Sequence, residues 1–563
     1  MAQKAIPLDF TFATTDRSEA AFPQLTDAQI ARVKPLGNVR RISRGEILFE
    51  QGDVGVPFFV FLSGAMEVVQ PVGNQEKPIT FHRSAGEFTG EISMISGRRC
   101  LARGRVTEDG EVIEVSPEGL QKLIQTDAEL SEILMRAFIM RRIYLISHGL
   151  GDVILLGSRH SSGTLRLREF LGRNGHPYNY VDLDTDKDAQ EILDRFHVKV
   201  EEIPVIICRG SAVLRNPTIQ ELADCLGYNQ AIDSLQLRDL IVVGAGPSGL
   251  AAAVYAASEG LDVLVIENNA PGGQAGSSSK IENYLGFPLG ISGGELAGRA
   301  YTQARKFGAD VFISRAVSRL TCDRKPYILE LEDGTRLSAR SIVIATGAQY
   351  NKLNVANLAL FEGNGVYYGA TYIEAQLCQS EEVIVVGGGN SAGQAAVFLA
   401  QSASKVHMLV RSGGLKDTMS RYLIRRIEEN PNIELHLYTE ITALEGTERL
   451  DRVQWQNKNT GEKETRDIQH VFLMTGAAPG SSWLKDCIAM DERGFIKTGR
   501  DISDAELQAA NWPLTRPPLL LETSLPGVFA VGDVRSGNVK RVASAVGEGS
   551  ISVHLVHRVL QEV

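Results

Sequence analysis

The period of the hydrophobic pattern changes along the chain. Between Arg40 and Ser116, apolar and polar residues alternate in short runs broken by glycine, as in FFVFLSGAMEVVQPV and GEVIEVSP. This alternation, with turns roughly every 8–12 positions, predicts a small antiparallel β-roll. The following PEGLQKLIQTDAELSEILMRAFIMRRIYLI has apolar residues at i, i+3 and i+4 spacing, which predicts helices.

Two α/β patterns follow the roll. Between Asp152 and Tyr228, the runs DVILLG, YNYVDLD and IPVIIC alternate with helical TLRLREFLGRNG, AQEILDRFHV and TIQELADCLGY. This order predicts a small α/β domain. A larger α/β region opens with LIVVGAGPSG near Leu237 and continues to the end. The predicted fold class is therefore multidomain: a β-roll with helices, a small α/β domain and a large α/β module.

Composition narrows the class of protein. The 563 residues carry a net charge of -10, which argues against a nucleic-acid partner. No apolar run approaches the roughly 18 residues of a membrane span, and the N-terminus has no signal-peptide core, so the cytoplasm is the expected compartment. The six cysteines form no Cys-x-x-Cys pair or zinc-type cluster. We therefore predict buried packing roles for the cysteines and no metal site.

The segment LIVVGAGPSGLAAAVYAASEGLDVLVIE predicts a strand, a glycine turn, a helix and a second strand. In a G-x-G-x-x-G turn the first glycine permits the tight turn, the second lets the backbone approach a pyrophosphate, and the third lets the helix pack on the strand. The helix start then directs its N–H groups at the diphosphate. Glu267 ends the second strand, where it can accept hydrogen bonds from an adenosine ribose. The turn and helix start consist of Gly244, Gly246, Pro247, Ser248 and Gly249.

A second unit of this kind is EVIVVGGGNSAGQAAVFLAQSASKVHMLVR. Its second strand ends in Arg411, and a cation there suits a 2′-phosphate, which favours NADPH over NADH. A solvated surface arginine is the alternative. The turn consists of Gly387, Gly389, Asn390, Ser391 and Ala392, with alanine in the third glycine position.

Three further segments complete the two nucleotide sites. SIVIATGA and HVFLMTGAAPG are strand-to-turn segments that close each nucleotide domain, and LPGVFAVGDVRSGNVKRVASAVGEG offers a carboxylate and a helix start to the ribityl and phosphate region of a flavin. The candidate residues are Thr346, Gly347, Thr475, Gly476, Gly532, Asp533, Val542 and Ala543.

From about Leu237 to the end, the chain resembles the low-molecular-weight thioredoxin reductase family. PGGQ (Gly273, Gln274) and IENYLGFP (Asn283) belong to the resemblance as well as both dinucleotide motifs. It implies an FAD domain made of residues 237–350 and 479–563, an NAD(P)H domain at 351–478, and a homodimer. It also implies that the two domains rotate, so that NADPH and the acceptor alternate at the flavin.

The resemblance fails at the cysteine pair. Where the family has Cys-Ala-Thr-Cys, this chain reads Gly369-Ala370-Thr371-Tyr372. A disulfide relay needs one thiolate to attack and a second thiol to resolve, and neither is present. Cys378 follows alone and is assigned to packing. We predict no catalytic residue here. In this respect the chain resembles the ferredoxin/flavodoxin–NADP reductase branch of the same superfamily, which also lacks the pair.

Residues 25–148, which follow an N-terminal arm at 1–24, resemble a cyclic-nucleotide-binding domain. Gly90 and Glu91 match the positions that bind the ribose. The phosphate-binding arginine position holds Cys100, and Arg99 lies one place early. Since a buried phosphate without its arginine is costly, we expect a degenerate domain that serves as an interface rather than cyclic-nucleotide binding.

Residues 152–228 resemble the thioredoxin/glutaredoxin fold. Ile203-Pro204 fits the cis-proline position, while the Cys-x-x-Cys position reads Ser161-Ser162-Gly163-Thr164. Ser161 and Thr164 are expected to cap the following helix.

The sequence thus predicts an FAD-dependent NAD(P)H oxidoreductase of thioredoxin reductase-like architecture with no internal redox disulfide. Four kinds of electron acceptor are compatible with the sequence: a quinone, a small redox protein, dioxygen or an external disulfide. One alternative is a non-catalytic redox or ligand sensor with structural FAD. Another is thioredoxin-disulfide reduction by family similarity. The second nucleotide site could also hold another ligand, even a second flavin.

Overall fold

The computed structural model describes residues 21–562 apart from 73–74, 92, 149–150, 160, 185, 187–201, 209–211, 229–232, 234, 279–280, 282, 323–324, 371, 448 and 485–486. The described chain forms two compact units. The first is drawn from residues 1–157, 174–232 and 302–314, and the second from 158–173, 233–301 and 315–563. Most of the arm predicted for residues 1–24 lies outside the described residues.

The first unit begins with the predicted roll. Its elements are α1 (Asp27–Val33), β1 (Gly37–Ile42), β2 (Ile47–Phe49), β3 (Phe58–Phe61), β4 (Ala65–Val72), β5 (Gln75–His82), α2 (Ser93–Ser96), β6 (Arg103–Glu108), β7 (Gly110–Val115), α3 (Pro117–Thr126) and α4 (Ala128–Ser147). The order β1-β7-β3 forms one antiparallel sheet, and β2-β6-β4-β5 forms another. Phe58, Phe88 and Phe138 contact one another at the centre, with ring centroids 5.7–6.4 Å apart. The prediction of a roll with helices is confirmed.

A four-stranded sheet follows. Its segment contains β8 (Val153–Gly157), α5 (Ser162–Arg173), β9 (Tyr178–Asp182), β10 (Val205–Cys208), β11 (Ala212–Arg215) and α6 (Ile219–Cys225). The sheet order is β11-β10-β8-β9, with β8 parallel to β9 and β10 antiparallel to both of its neighbours. The Ile203–Pro204 peptide is cis. The helix predicted for AQEILDRFHV lies outside the described residues, and α5 belongs to the second unit.

The chain next forms a predominantly parallel sheet. The chain continues through β12 (Leu237–Val243), α7 (Pro247–Ser258), β13 (Val263–Glu267), α8 (Gly293–Lys306), β14 (Asp310–Ile313), β15 (Val317–Thr321), β16 (Tyr327–Leu331) and β17 (Arg336–Ile344). Strand β12 pairs in parallel with β13 and β17, while β15, β16 and β17 form an antiparallel meander. Strand β12 is fully buried from Leu240 to Val243, as its continuous apolar run predicts.

A second parallel sheet is inserted next. Its segment comprises β18 (Ala348–Tyr350), α9 (Leu358–Phe361), β19 (Val366–Tyr367), α10 (Tyr372–Leu377), β20 (Glu382–Val386), α11 (Asn390–Leu399), β21 (Lys405–Val410), α12 (Arg421–Glu428), β22 (Ile433–Leu437), β23 (Thr439–Gly446), β24 (Leu450–Asn457), β25 (Lys463–Arg466), β26 (Val471–Leu473) and β27 (Ala477–Pro479). The parallel order is β19-β26-β20-β21-β22, and β23-β24-β25 form an antiparallel sheet. Strands β18 and β27 pair at the two ends of the insertion.

The chain then returns to the first of these sheets. It adds α13 (Asp504–Ala509), β28 (Val528–Ala530) and the 20-residue α14 (Val542–Gln561). Strand β28 pairs in parallel with β17, so two separate segments build one sheet around the insertion. In the described part of the chain, no helix combines the length and apolar character that a membrane crossing requires.

One disulfide corrects the sequence analysis. Cys322 and Cys487 are bonded, with their Cα atoms 5.9 Å apart. The prediction that all six cysteines are unpaired packing residues is therefore wrong for these two. The pair was missed because its members lie 165 residues apart, and spacing cannot indicate such a partner. The other four form no disulfide: Cys100, Cys208, Cys225 and Cys378.

Candidate functional site

The first glycine turn is shaped by close backbone contacts. Gly244 has φ +103°, and a Cβ there would lie 2.4 Å from the carbonyl oxygen of Ala345. A Cβ at Gly249 would lie 1.9 Å from the Gly244 oxygen. At Gly246, by contrast, a Cβ would have one described neighbour within 4 Å, the Cα of Gly273 at 3.9 Å. Contacts within the protein explain why the first and third positions are glycine, whereas the second position leaves space for a ligand.

The helix that follows this turn is open at its start. Helix α7 begins at Pro247 with Gly246 as its cap residue, and no side chain caps its first N–H groups. Ser248 in this first turn is buried. Uncapped N–H groups at a helix start favour an anion.

Glu267 is held beside this turn. Its carboxylate accepts the backbone N–H of Ala245 at 2.7 Å and that of Asn269 at 2.9 Å. Burial raises the pKa of Glu267, against the effect of these hydrogen bonds. A carboxylate has about four lone-pair positions, so two described bonds leave capacity for ribose hydroxyls.

The PGGQ turn lies against the first one. Gly273 has φ +53°, and the Gln274 amide donates to the Ala348 carbonyl. Arg173, at the end of α5, donates from Nη2 to the Gly273 carbonyl at 2.7 Å. The sequence analysis missed Arg173, which no motif indicates. Asn283 is exposed.

Several polar groups around the ends of β17 and β28 have no described partner. The hydroxyl oxygen of Thr346 and both amide atoms of Asn538 are buried without a hydrogen bond. No hydrogen bond involves the carboxylate of Asp533 among the described residues, and burial raises its pKa, with Lys540 opposing and Glu548 adding to the effect. Buried polar groups are normally satisfied, so these orphans suit a polar ligand.

Near these groups, Gly347 leaves further room, whereas Gly532 packs closely on Ser248. Gly347 has φ +63°, with nothing described within 4 Å of an added Cβ, and Gly532 has φ +73°. Helix α14 begins with Val542 and Ala543, and its cap residue Arg541 makes no side-chain cap. This second uncapped helix start extends the polar cradle.

The second glycine turn repeats the geometry of the first. A Cβ at Gly387 would lie 2.4 Å from the Met474 carbonyl oxygen, whereas at Gly389 it would meet a single described atom, the Thr418 oxygen at 3.9 Å. Helix α11 starts at Asn390 without a side-chain cap, and Ala392 is fully buried. Again the second glycine faces open space.

The rim of this second turn is exposed. Arg411 follows β21 in an exposed position and Ser391 is exposed. The side-chain oxygen Oδ1 of Asn390 accepts the Ser420 N–H at 2.7 Å. Gly476 has φ +86° in the turn after β26, where the Thr475 hydroxyl donates to the Asn351 carbonyl at 2.6 Å.

The segment from Gly363 to Cys378 contacts α5. A Cβ on Gly363 would lie 3.2 Å from the Ser162 Cβ, and Leu165 belongs to the same hydrophobic cluster as Ala370 and Cys378. Cys378 is fully buried, and burial raises the pKa of its thiol to about 12, which supports the predicted packing role. The first turn of α5 therefore covers part of this segment.

The start of α5 departs in part from its predicted capping. The Ser161 hydroxyl accepts the Thr164 N–H at 3.4 Å, as expected of a cap. The Thr164 hydroxyl is buried without a partner, so the capping role predicted for Thr164 is wrong. Thr164 lies inside the helix, where its side chain cannot reach the N–H groups before it.

In the first unit, two arginines contact the segment of the small four-stranded sheet. They belong to the segment from Gly90 to Cys100, which resembles a phosphate-binding cassette. Arg98 donates to the Asn174 carbonyl at 2.8 Å, and its guanidinium lies 4.3 Å from the Tyr228 ring centroid. A Cβ on Gly227 would lie 2.2 Å from the Arg99 Nε, so Arg99 packs directly on that loop.

Gly90 and Glu91 border a cavity of about 540 Å³ together with His82 and Arg141. Glu91 pairs with Arg142 at 3.4 Å. Arg141 donates to the carbonyls of Ala21, Phe88 and Gly90, and burial lowers its pKa to about 9. The sequence analysis missed Arg141, which lies on a predicted helix far from the cassette.

Comparison with known proteins fits this geometry. Residues 238–549 match the model of the pyridine nucleotide-disulphide oxidoreductase family, and residues 39–127 match that of the cyclic nucleotide-binding domain. Thioredoxin reductase of Ureaplasma parvum is 31% identical over 56% of this chain and 95% of its own length. That of Bacillus subtilis is 30% identical over 58% and 96%. The crystal structure of Lactococcus lactis thioredoxin reductase superposes with a TM-score of 0.52 at 26% identity, over 58% of this chain and all of that one.

The matched family model covers more than half of the chain and contains both glycine turns. Thioredoxin reductases are FAD-dependent oxidoreductases that use NADPH. The chain therefore belongs to the pyridine nucleotide-disulphide oxidoreductase family, as an enzyme with a thioredoxin reductase-like module and an N-terminal cyclic nucleotide-binding domain.

Proposed function

We propose that this protein is an FAD-dependent NADPH oxidoreductase that delivers electrons to its acceptor without an internal dithiol. The observation that carries the proposal is the segment from Gly369 to Tyr372, which has no thiol where the family places its cysteine pair. Cys322 and Cys487 are the bonded pair, but they belong to the ends of other elements and not to this segment.

The polar groups without a described hydrogen-bond partner fit FAD in the first site. Gly244, Gly246 and Gly249 would shape the diphosphate cradle, and Glu267 would accept from the ribose. Thr346 and Asp533 would bind hydroxyl groups of the ribityl chain, and the start of α14 would face the flavin. FAD bound here supplies hydride acceptance from NADPH and electron transfer to the acceptor.

The second site fits NADPH. Gly387, Gly389 and Ala392 would hold the diphosphate against α11, and Arg411 would pair with the 2′-phosphate. Its exposed position leaves the guanidinium accessible to such a group.

The coverage of the segment from Gly363 to Cys378 supports an acceptor other than thioredoxin. Ser162 of α5 lies against Gly363, and Leu165 of α5 shares a hydrophobic cluster with Ala370 and Cys378. A protein disulfide would have to displace α5 to reach it. A quinone, dioxygen or another small acceptor would not need this surface.

The small sheet of the first unit supports a thioredoxin-like domain at residues 152–228. Its order β11-β10-β8-β9, with β8 and β9 parallel and connected through α5, matches the order expected of a thioredoxin fold. With Ser161 and Thr164 in the cysteine positions, this domain would act by contact and not by disulfide exchange. The homodimer implied by the resemblance stays a prediction.

Anaerobic mixing of the purified flavoprotein with NADPH tests the proposal. We expect rapid loss of the oxidised flavin absorbance, followed by turnover with a quinone. Thioredoxin reduction should stay at background, while a dithiol-bearing thioredoxin reductase assayed in parallel reduces it. Flavin that stays oxidised for minutes would favour structural FAD, and robust thioredoxin reduction would refute the dithiol-free route.

For the N-terminal β-roll, we infer that a small anionic ligand binds through Arg141. A buried guanidinium bonded only to backbone carbonyls, with no carboxylate among its described hydrogen-bond partners, favours an anion in the adjoining cavity. Calorimetric titration with a cyclic nucleotide is the first measurement. Arg141→Gln should abolish binding and Arg99→Ala should preserve it, and the reverse result would return the phosphate to the cassette.

A further inference from the structure

Three ionisable side chains converge on the second parallel sheet, away from its glycine turn. His407 lies on β21, and Glu434 and His436 lie on the edge strand β22. In the parallel register His407 stands opposite Glu434. One donor atom from each side chain lies within 4.8 Å of the others. Glu382 of β20, which also contacts this group, is the first residue of its strand, whereas Gly387 follows the last.

The donor atoms have the spacing of metal ligands. His407 Nδ1 is 3.0 Å from His436 Nε2, which is 3.7 Å from Glu434 Oε1. Ligands bound tetrahedrally to Zn²⁺ at about 2.0–2.2 Å are separated by about 3.3 Å. The two printed distances lie on either side of this value, and the His407 and Glu434 donor atoms lie within 4.8 Å of each other.

Hydrogen bonding fixes the tautomer of His407. Its Nε2 lies 3.2 Å from the Glu382 carboxylate, which can only accept, so Nε2 carries a proton. In this tautomer the lone pair of Nδ1 is directed at His436. A carboxylate that orients a ligating histidine in this way is a common feature of zinc sites.

The surroundings hold the imidazoles and leave an entry path. The Trp455 ring lies 5.6 Å from the His407 ring and 5.7 Å from the His436 ring, measured between centroids. The His407 side chain is 1% exposed, whereas Glu434 is 43% exposed, so an ion can enter from the side of Glu434. Lys405 pairs with Glu434 Oε2 at 2.6 Å, which leaves Oε1 to face the histidines.

We propose that His407, Glu434 and His436 form a site for a divalent transition-metal ion, with Zn²⁺ as its most suitable occupant. Two imidazoles and one carboxylate suit Zn²⁺, and solvent would supply the fourth ligand. The ion ties β22, the edge strand, to β21. The proposal is independent of the reaction at the flavin, because it concerns binding alone.

Calorimetric titration of the chelator-treated, tag-free full-length protein with Zn²⁺ tests the site. We expect one ion per chain. His436→Gln and Glu434→Gln should weaken binding by about tenfold or more. Lys405→Met should tighten it by about threefold or more, because it removes a cation and releases Glu434. His407 is left unchanged because its burial makes a folding defect the expected result.

Glu440→Gln is the matched control. Glu440 lies on β23 and pairs at 2.7 Å with Lys458, which follows β24. The Glu440→Gln change should leave Zn²⁺ affinity unchanged. Flavin content and the apparent Tm without metal verify that each variant is folded. Absence of stoichiometric Zn²⁺ binding in the wild type, or wild-type affinity in a folded His436→Gln variant, would overturn the site.

Discussion

The two glycine turns of the second unit share a backbone but differ at the ends of their second strands. Added Cβ atoms at Gly244 and Gly387 would each lie 2.4 Å from a carbonyl oxygen. The second glycine of each turn faces open space. The second strand beside the first turn, however, ends in the buried Glu267, whereas the second strand beside the other turn is followed by the exposed Arg411.

This difference separates two tasks. The backbone offers the same tight turn and uncapped helix start in both cases, which suits a diphosphate. Under the proposed function, the residue at the end of the second strand determines which ribose is recognised. A buried carboxylate suits free hydroxyls, and an exposed cation suits a phosphate.

The largest expected effect comes from the third glycine position. Gly249→Ala would place Cβ 1.9 Å from the Gly244 oxygen and open the turn. We expect flavin per chain, measured by absorbance, to fall about tenfold or more. Ala392→Gly, the matched change in the other turn, should retain full flavin and cost about 0.5–1 kcal/mol of stability. Full flavin in Gly249→Ala would contradict the steric argument.

Next in size is the loss of Arg411. Without this guanidinium, a 2′-phosphate loses its charged partner, so Arg411→Ala should lower kcat/KM for NADPH about 10- to 100-fold. Steady-state kinetics with NADH should be unchanged. Lys416→Ala, which removes another exposed cation from the same loop, serves as the control. Equal losses with both nucleotides would show that Arg411 does not read the phosphate.

Glu267→Gln should have a smaller effect. The amide can still accept from Ala245 or Asn269, but its NH₂ group faces the second N–H and loses one bond. The amide then also offers the ribose hydroxyls of FAD one acceptor fewer. A lost buried hydrogen bond costs about 1–3 kcal/mol, so flavin affinity should fall about tenfold. Fluorescence titration of the flavin-free protein measures it. Unchanged affinity would remove Glu267 from the cradle.

The smallest effect concerns Asp533 and pH. Burial raises the folded-state pKa of Asp533, so the folded protein binds its proton more tightly than the unfolded chain. The free energy of unfolding of flavin-free protein therefore falls as pH rises above about 4. Asp533→Asn should raise the apparent Tm by about 2 °C at pH 8 and leave it unchanged at pH 4. The exposed Asp417→Asn variant should show no such trend.

The nucleotide turns could be predicted because their determinants are local. Gly244 and Gly387 need positive φ, and their strands and helices follow from periodicity within about 30 residues. The β-roll was predictable for the same reason, since alternation and glycine turns are read from neighbouring positions.

What the sequence analysis missed depends on contacts between distant segments. Arg173 reaches the Gly273 carbonyl across 100 residues of chain, and Leu165 joins the hydrophobic cluster that contains Ala370. Arg99 was assigned by its offset from Glu91, but the structure places it on Gly227. Neither periodicity nor motif spacing contains this information.

The bond between Cys322 and Cys487 makes the intervening chain a covalent ring that carries the whole second parallel sheet, from Val366 to Leu473. A single proteolytic nick within this ring opens it without releasing a fragment. The nicked molecule should therefore migrate as one full-length band on a denaturing gel without reductant, and separate into two pieces when a thiol is added.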